Sequence, residues 1–263
     1  MSNTHMDDNY PERKLEGRTL LAYNWIEDNT GRLRDVGCSY GYGTKFFTDK
    51  AKEVSGIDPN DEDIAIAKKR YKNINFQKSY LENVPFKTSS FDCVVMLDVL
   101  EHVIDEVQSL NEIYRILRGG GYLTISVPHQ GLFSVFDTSN YSYLLFKNFP
   151  SFFKMLYRLK NNKNFQSQPP GKENRHRHYS LKDIKNLLDR SKFRNKHTIN
   201  KKLRSGFLLM PLAANIRLAS KIIFPKSIYK FIVAPFSALS KLEYKIPFGF
   251  LAYNIAVRVK KNA

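Results

Sequence analysis

Along the first half of the chain, short apolar runs alternate with longer segments whose apolar residues recur every three or four positions. The runs at 33–37 (LRDVG), 54–58 (VSGID), 74–79 (INFQKS), 91–98 (FDCVVMLD) and 121–127 (GYLTISV) have the length and make-up of strands. Between them, 44–52, 61–72 and 104–117 have helical spacing, and in the last of these Val107, Leu110, Ile113 and Leu117 share one stripe. This alternation predicts an α/β fold: a Rossmann-like, doubly wound, mostly parallel sheet with helices on both faces. Right-handed crossovers then bring the loop after each strand to one sheet edge, where ligands bind.

After residue 128 the pattern changes. Residues 132–160 are aromatic and basic, with Phe152, Met155, Leu156 and Leu159 at helical spacing against Lys154, Arg158 and Lys160. Residues 161–177 read as a loop, and a helix is expected from Ser180 as N-cap, turning Leu181, Ile184, Leu187 and Leu188 inward. Strands near 197–203 and 250–260 are expected to complete the sheet. Two basic amphipathic stretches, 212–223 and 226–239, lie between them; Arg217, Lys221, Lys226 and Lys230 interrupt any run long enough to span a bilayer. The organisation expected is one domain over 1–263. It has a ligand-binding core at about 30–130, a helical insertion or cap at about 131–178, and closing segments at about 179–263.

Charge sharpens the contrast between the halves. The chain carries a net +17, but residues 1–131 hold 16 Lys/Arg against 20 Asp/Glu, whereas residues 132–263 hold 26 against 5. The cationic half points to an anionic partner, for which a membrane surface is favoured over nucleic acid. The N-terminus has no basic–apolar–small signature of a signal peptide, and a cytoplasmic protein, peripheral on the membrane, is the expectation. The two cysteines, Cys38 and Cys93, sit in strand-like context and read as a buried, reduced pair.

Candidate chemistry concentrates in 35–43, DVGCSYGYG, where three glycines and an acid separate a strand from a helical segment. Such a turn offers backbone amides and close approach to a cofactor. Asp58, ending the next strand, is placed to accept hydrogen bonds from two ribose hydroxyls. Gly37, Gly41 and Gly43 also fit the short-chain dehydrogenase fingerprint, and Tyr143 and Lys147 have that family's catalytic spacing. Against an NAD(P)-dependent oxidoreductase stand Asp35, whose charge would repel a pyrophosphate, and DVLEHV, which lacks the expected Asn-Ala-Gly turn.

The run from LRDVGCSYGYGT through VSGIDPNDEDIAIAKKRY and FQKSYLENVPF to FDCVVMLDVLEHV and RGGGYLTISVP resembles the class I S-adenosylmethionine-dependent methyltransferases, in the branch acting on small molecules, quinones, lipids and sugars. The resemblance spans roughly residues 30–130. It implies that Asp35, Gly37, Ser39 and Gly41 surround the methionyl part of S-adenosylmethionine, that Asp58 takes the ribose, that Tyr80 and Leu81 meet the adenine edge, and that Leu97 offers a backbone carbonyl. Ser39 replaces a usual glycine, Tyr80 a usual aspartate, and Arg34 a usual aliphatic residue. The implied activity is methylation of a small-molecule, glycan or lipid-linked acceptor, with oxygen as the expected target. A scaffold that binds the cofactor without turnover is the alternative within the fold.

For a general base, His129 follows the fifth strand in SVPHQ, and His178 precedes a helix in HRHYS; His102 and His176 are weaker candidates. Asp98, Glu101, His102 and Asp105 could gather a divalent cation, but such acids more often cap a helix, and no metal is expected.

Overall fold

The computed structural model describes residues 14–132, 134, 148–161, 177–206, 212, 216, 234, 235, 243 and 245–263. Tyr143, Lys147, His176, most of the loop expected over 161–177, and nearly all of 212–223 and 226–239 lie outside the described residues. The chain divides into two compact units: 1–127 with 181–203 and 256–263, and 128–180 with 204–255.

In the first unit, α1 (Gly17–Trp25) leads into β1 (Thr30–Val36), a 3-10 turn (Thr44–Asp49), β2 (Ala51–Asp58), α2 (Asp61–Arg70) and β3 (Asn75–Lys78). Then follow β4 (Phe91–Leu97), α3 (Glu106–Ile116) and β5 (Leu117–Pro128). Helix α2 begins where Asn60 Oδ1 accepts the Glu62 and Asp63 amides, with three acids in its first turn and three bases in its last, matching the helix dipole. The residues 181–203 return as α5 (Leu181–Arg190) and most of β6 (His197–Ser205), and β7 (Asn254–Lys261) closes the sheet. In the second unit lies α4 (Pro150–Asn161), a helix where one was expected over 152–159.

The strands form one seven-stranded sheet in the order β3-β2-β1-β4-β5-β7-β6. β1 pairs in parallel with β2 and β4, and β2–β3 and β4–β5 are also parallel. β7 runs the other way. Asn262 N–H donates to Lys196 O while Tyr253 N–H donates to Gly206 O, so its two ends meet opposite ends of β6. The winding reverses between β1 and β4, which makes the loops after these strands the crevice of the sheet.

Both faces are packed. Leu33, Cys93 and Val95 join Ala22, Ile26, Phe47 and Ala51 in one cluster, and Cys38, Ile64, Ala67, Ile74 and Phe76 form another. The two free, buried cysteines therefore belong to different clusters and do not form a disulfide.

Two expected elements differ in the structure. The helix read over 44–52 is only a 3-10 turn over Thr44–Asp49, and β2 starts at Ala51. The turn is closed by Lys50 N–H donating to Phe47 O, after which burial of Ala51 pulls the chain into the sheet. Likewise β7 starts at Asn254, after a 3-10 turn at Gly249–Leu251, rather than at 250.

Candidate functional site

The turn after β1 is held by hydrogen bonds to the end of β2. The Gly37 and Cys38 amides both donate to Ile57 O, at 2.8 and 3.0 Å. Gly37 has φ +72°, and a Cβ there would lie 2.2 Å from Val99 Cγ2; at Gly41, φ +79°, it would lie 2.7 Å from Phe76 Cζ. The glycines are thus demanded first by left-handed backbone and by the protein's own side chains pressing on the turn. Gly37→Ala is expected to destabilise the protein by about 2–5 kcal/mol, summing a left-handed backbone penalty and overpacking. Denaturant melts check this, and a Gly37→Ala/Val99→Ala double variant should recover only the overpacking share.

Ser39, where a glycine is usual in the family resembled, also adopts a left-handed conformation, φ 48°. Its side chain offsets the strain: Ser39 Oγ donates to Asp63 Oδ2 at 2.8 Å, while Ser39 N–H donates to Asp58 Oδ2 at 2.9 Å. Asp58 Oδ1 accepts from Asn60 N–H at 2.9 Å. The Asp58 carboxylate is therefore fixed through both oxygens, each with a lone pair left for a further donor.

Asp35 lies one strand away, buried, accepting a 2.6 Å hydrogen bond from Thr44 Oγ1. Burial pushes its pKa up to about 7; the Thr44 bond opposes this, while the charge of Asp58 adds to it. Asp58 is raised as well, first by burial and also by Asp63, against the pull of its two backbone amides. Asp35 and Asp58, with the Asp63 carboxylate beside them, make an acidic cluster at the sheet edge that gains from a cation. Beneath them, Arg34 is buried with its guanidinium carbon 3.9 Å from the Phe86 ring centre and 4.6 Å from that of Phe91. That aromatic slot explains how a charge is tolerated in β1, and burial lowers its pKa to about 10.

The other expected cofactor residues gather at the same sheet edge. Tyr80 follows β3 and is 62% exposed, Leu81 is buried beside it, and Leu97 ends β4. Ser79 N–H donates to Asp58 O at 3.2 Å, which ties the Tyr80 segment to the end of β2. Nothing in the sequence singles out Thr44 or Val99; Asp63, in the acidic start of α2, carries a weak signal there.

The two histidines lie in the second unit. His129, the residue after β5, is buried and bridges in parallel to Tyr179. Its Nδ1 lies 3.0 Å from Ala252 O. A carbonyl only accepts, so Nδ1 carries the proton of the neutral ring and Nε2 keeps its lone pair. Burial holds the His129 pKa below the usual histidine value; the Ala252 bond opposes this, and Arg204 and His178 reinforce it. The neighbourhood of His129 therefore includes His178.

Among the described residues no group of three or more His, Cys, Asp or Glu is arranged to hold a metal ion. Asp105 caps α3 by accepting from Gln108 N–H, and Asp98 pairs with Arg18. Burial drives the Cys38 thiol far above the usual range, which leaves it protonated and non-nucleophilic. No helix among the described residues is long and apolar enough to cross a membrane.

Residues 34–125 match the family described as a methyltransferase domain. A protein named as a probable S-adenosylmethionine-dependent methyltransferase of Mycolicibacterium smegmatis is 34% identical over 100 residues, which cover 38% of this chain and 39% of that protein. A ubiquinone biosynthesis O-methyltransferase of Pseudomonas aeruginosa is 27% identical over 132 residues, covering 44% of this chain and 55% of that one. The likeness thus spans between two fifths and just over half of these relatives. A solved S-adenosylmethionine-dependent methyltransferase from Thermotoga maritima shares the fold, with a TM-score of 0.53 at 21% identity, over 93% of this chain and 88% of its own.

Proposed function

We propose that the protein, whose residues 34–125 match a methyltransferase domain and resemble S-adenosylmethionine-dependent methyltransferases, moves a methyl group from S-adenosylmethionine to a small-molecule, glycan or lipid-linked acceptor. Oxygen is the receiving atom in this reading, in keeping with the O-methyltransferases among the relatives. The observation that carries it is the cluster of Asp35, Asp58 and Asp63 at the crevice of the sheet, with ionisation of Asp35 and Asp58 held back. A cationic ligand relieves that repulsion, whereas a pyrophosphate would add to it.

When bound, S-adenosylmethionine supplies a methyl group on a sulfonium, already a strong electrophile. The chain's part is to hold, orient and deprotonate. Asp35 and the backbone at Gly37, Ser39 and Gly41 would hold the methionyl end, and Asp58 would hold the ribose through its free lone pairs. Leu81 and the Leu97 carbonyl would serve the adenine. Tyr80, exposed where a carboxylate is usual, would offer the adenine an aromatic face instead of an acceptor for its amine. His129 Nε2 would take the acceptor's proton, and His178, near it, would help to position the acceptor. The whole chain acts as one catalytic domain, on the cytoplasmic face of a membrane.

Isothermal calorimetry with S-adenosylmethionine and with NAD tests the reading. Micromolar binding of the former and none of the latter is expected. Binding of NAD alone would overturn it. Turnover of labelled methyl groups onto candidate acceptors separates an enzyme from a scaffold, for which only binding would be seen.

A further inference from the structure

Apolar exposure is unevenly distributed in this protein. Of nine large hydrophobic side chains exposed among the described residues, seven belong to the second unit. Three of them, Phe149, Phe152 and Met155, are 62%, 49% and 48% exposed. They follow one another at intervals of three along α4 and the residue before it. Phe153 N–H donates to Phe149 O, so the helical winding already includes Phe149 and the three side chains form one adjoining strip. A helix of a globular protein ordinarily turns such a strip inward. Here its middle residue, Phe152, is half in solvent.

The charges on the same segment have one sign. Lys154 and Arg158, four positions apart, are exposed on the side opposite Phe152, and 148–161 contain no Asp or Glu. Residues 132–263, to which the segment belongs, hold 26 Lys/Arg against 5 Asp/Glu. At 12 residues the helix is about 18 Å long. That falls well short of the roughly 30 Å hydrocarbon core of a bilayer. An outward apolar strip, charges of cationic sign alone and insufficient length to span are the attributes of a helix lying in the plane of an anionic lipid surface.

We propose that α4 is a membrane-docking helix that inserts Phe149, Phe152 and Met155 into the acyl boundary of an anionic leaflet. Lys154 and Arg158, on the opposite, polar side of the helix, bring cationic charge to the headgroup phosphates. The basic remainder of the second half adds long-range attraction, roughly fivefold in affinity per cation near the surface. The inference deepens the lipid-surface part of the proposed function but does not depend on methyl transfer.

Co-sedimentation of the full chain with phosphatidylcholine vesicles, with and without about 30 mol% phosphatidylglycerol to resemble a strongly anionic leaflet, is the test. Binding to the anionic vesicles alone, weakening at least tenfold when salt is raised from about 0.05 to 0.5 M, is expected. Phe152→Ser/Met155→Ser should lose about tenfold or more in vesicle affinity. Lys154→Glu/Arg158→Glu should lose a similar amount and retain less salt dependence. All four positions are exposed, so thermal melts and S-adenosylmethionine calorimetry should match wild type, which separates failure of docking from failure of the cofactor reading. Three results would overturn the proposal: equal binding to neutral vesicles, unchanged binding of the serine variant, or a dimer that the serine variant dissociates in the absence of any vesicle binding.

Discussion

Stability of the cofactor-free protein is expected to fall as pH rises from about 4 to about 7 and to level off above that. Asp35 is the cause: an unfolded aspartate ionises near its ordinary value of 3.8, whereas the buried one holds its proton to about 7. Between those values the native state binds more protons than the unfolded state, so each pH unit removes stability, to a total of about 4 kcal/mol above pH 7. Asp35→Asn should flatten this slope and melt higher than wild type at pH 8. The cofactor should show the mirror image. A sulfonium and an ammonium favour the carboxylate, so affinity for S-adenosylmethionine should weaken about tenfold per unit as pH drops below 7. Calorimetry near pH 6.5 should show protons released on binding, and Asp35→Asn should bind weakly at every pH. Affinity that stays constant from pH 5.5 to 8 would remove Asp35 from the cofactor site.

His129→Asn is expected to lower kcat by roughly 10²–10⁴-fold with little change in cofactor affinity. Asparagine is a demanding replacement because its amide nitrogen can still donate to Ala252 O, as Nδ1 does at 3.0 Å. Only the Nε2 lone pair is lost, so folding should be spared while the base is removed. The wild-type rate should rise with pH through a value below the ordinary histidine pKa and then stay level, since burial and the neighbouring His178 and Arg204 favour the neutral ring. The acidic limb should be absent from the residual activity of the variant. A variant with wild-type turnover would assign the proton to another acceptor.

Much of the fold could be read from periodicity because burial imposes it residue by residue. Of the stripe expected on α3, Leu110 and Ile113 lie inward, Val107 is half-buried and Leu117 already starts β5, while the continuous apolar run of β4 is buried on both faces. Periodicity fails where winding is local. Phe46 and Phe47 give 44–52 a helical look, but the segment is one 3-10 turn whose direction is set by the glycines before it and β2 after it. In the candidate site, the acid and glycine positions were legible because their residue types are rare in strands. Their partners were not. Thr44 reaches Asp35 only through the turn, Val99 meets Gly37 from another loop, and Ala252 lies 123 residues from His129. Nor does a sequence disclose that Asp35 shares its surroundings with Asp58, which helps to displace its proton affinity.

Asp58 has two employers. The same carboxylate that would grip a ribose also clamps the Ser39 and Asn60 amides, one on each oxygen. A ligand therefore meets a side chain already immobilised, and little freedom is surrendered on association. The arrangement also closes the position to its nearest chemical neighbours. Asparagine would point an NH₂ at one of two backbone donors, and glutamate would carry its oxygens a bond too far for both, so hook and clasp can only be lost together.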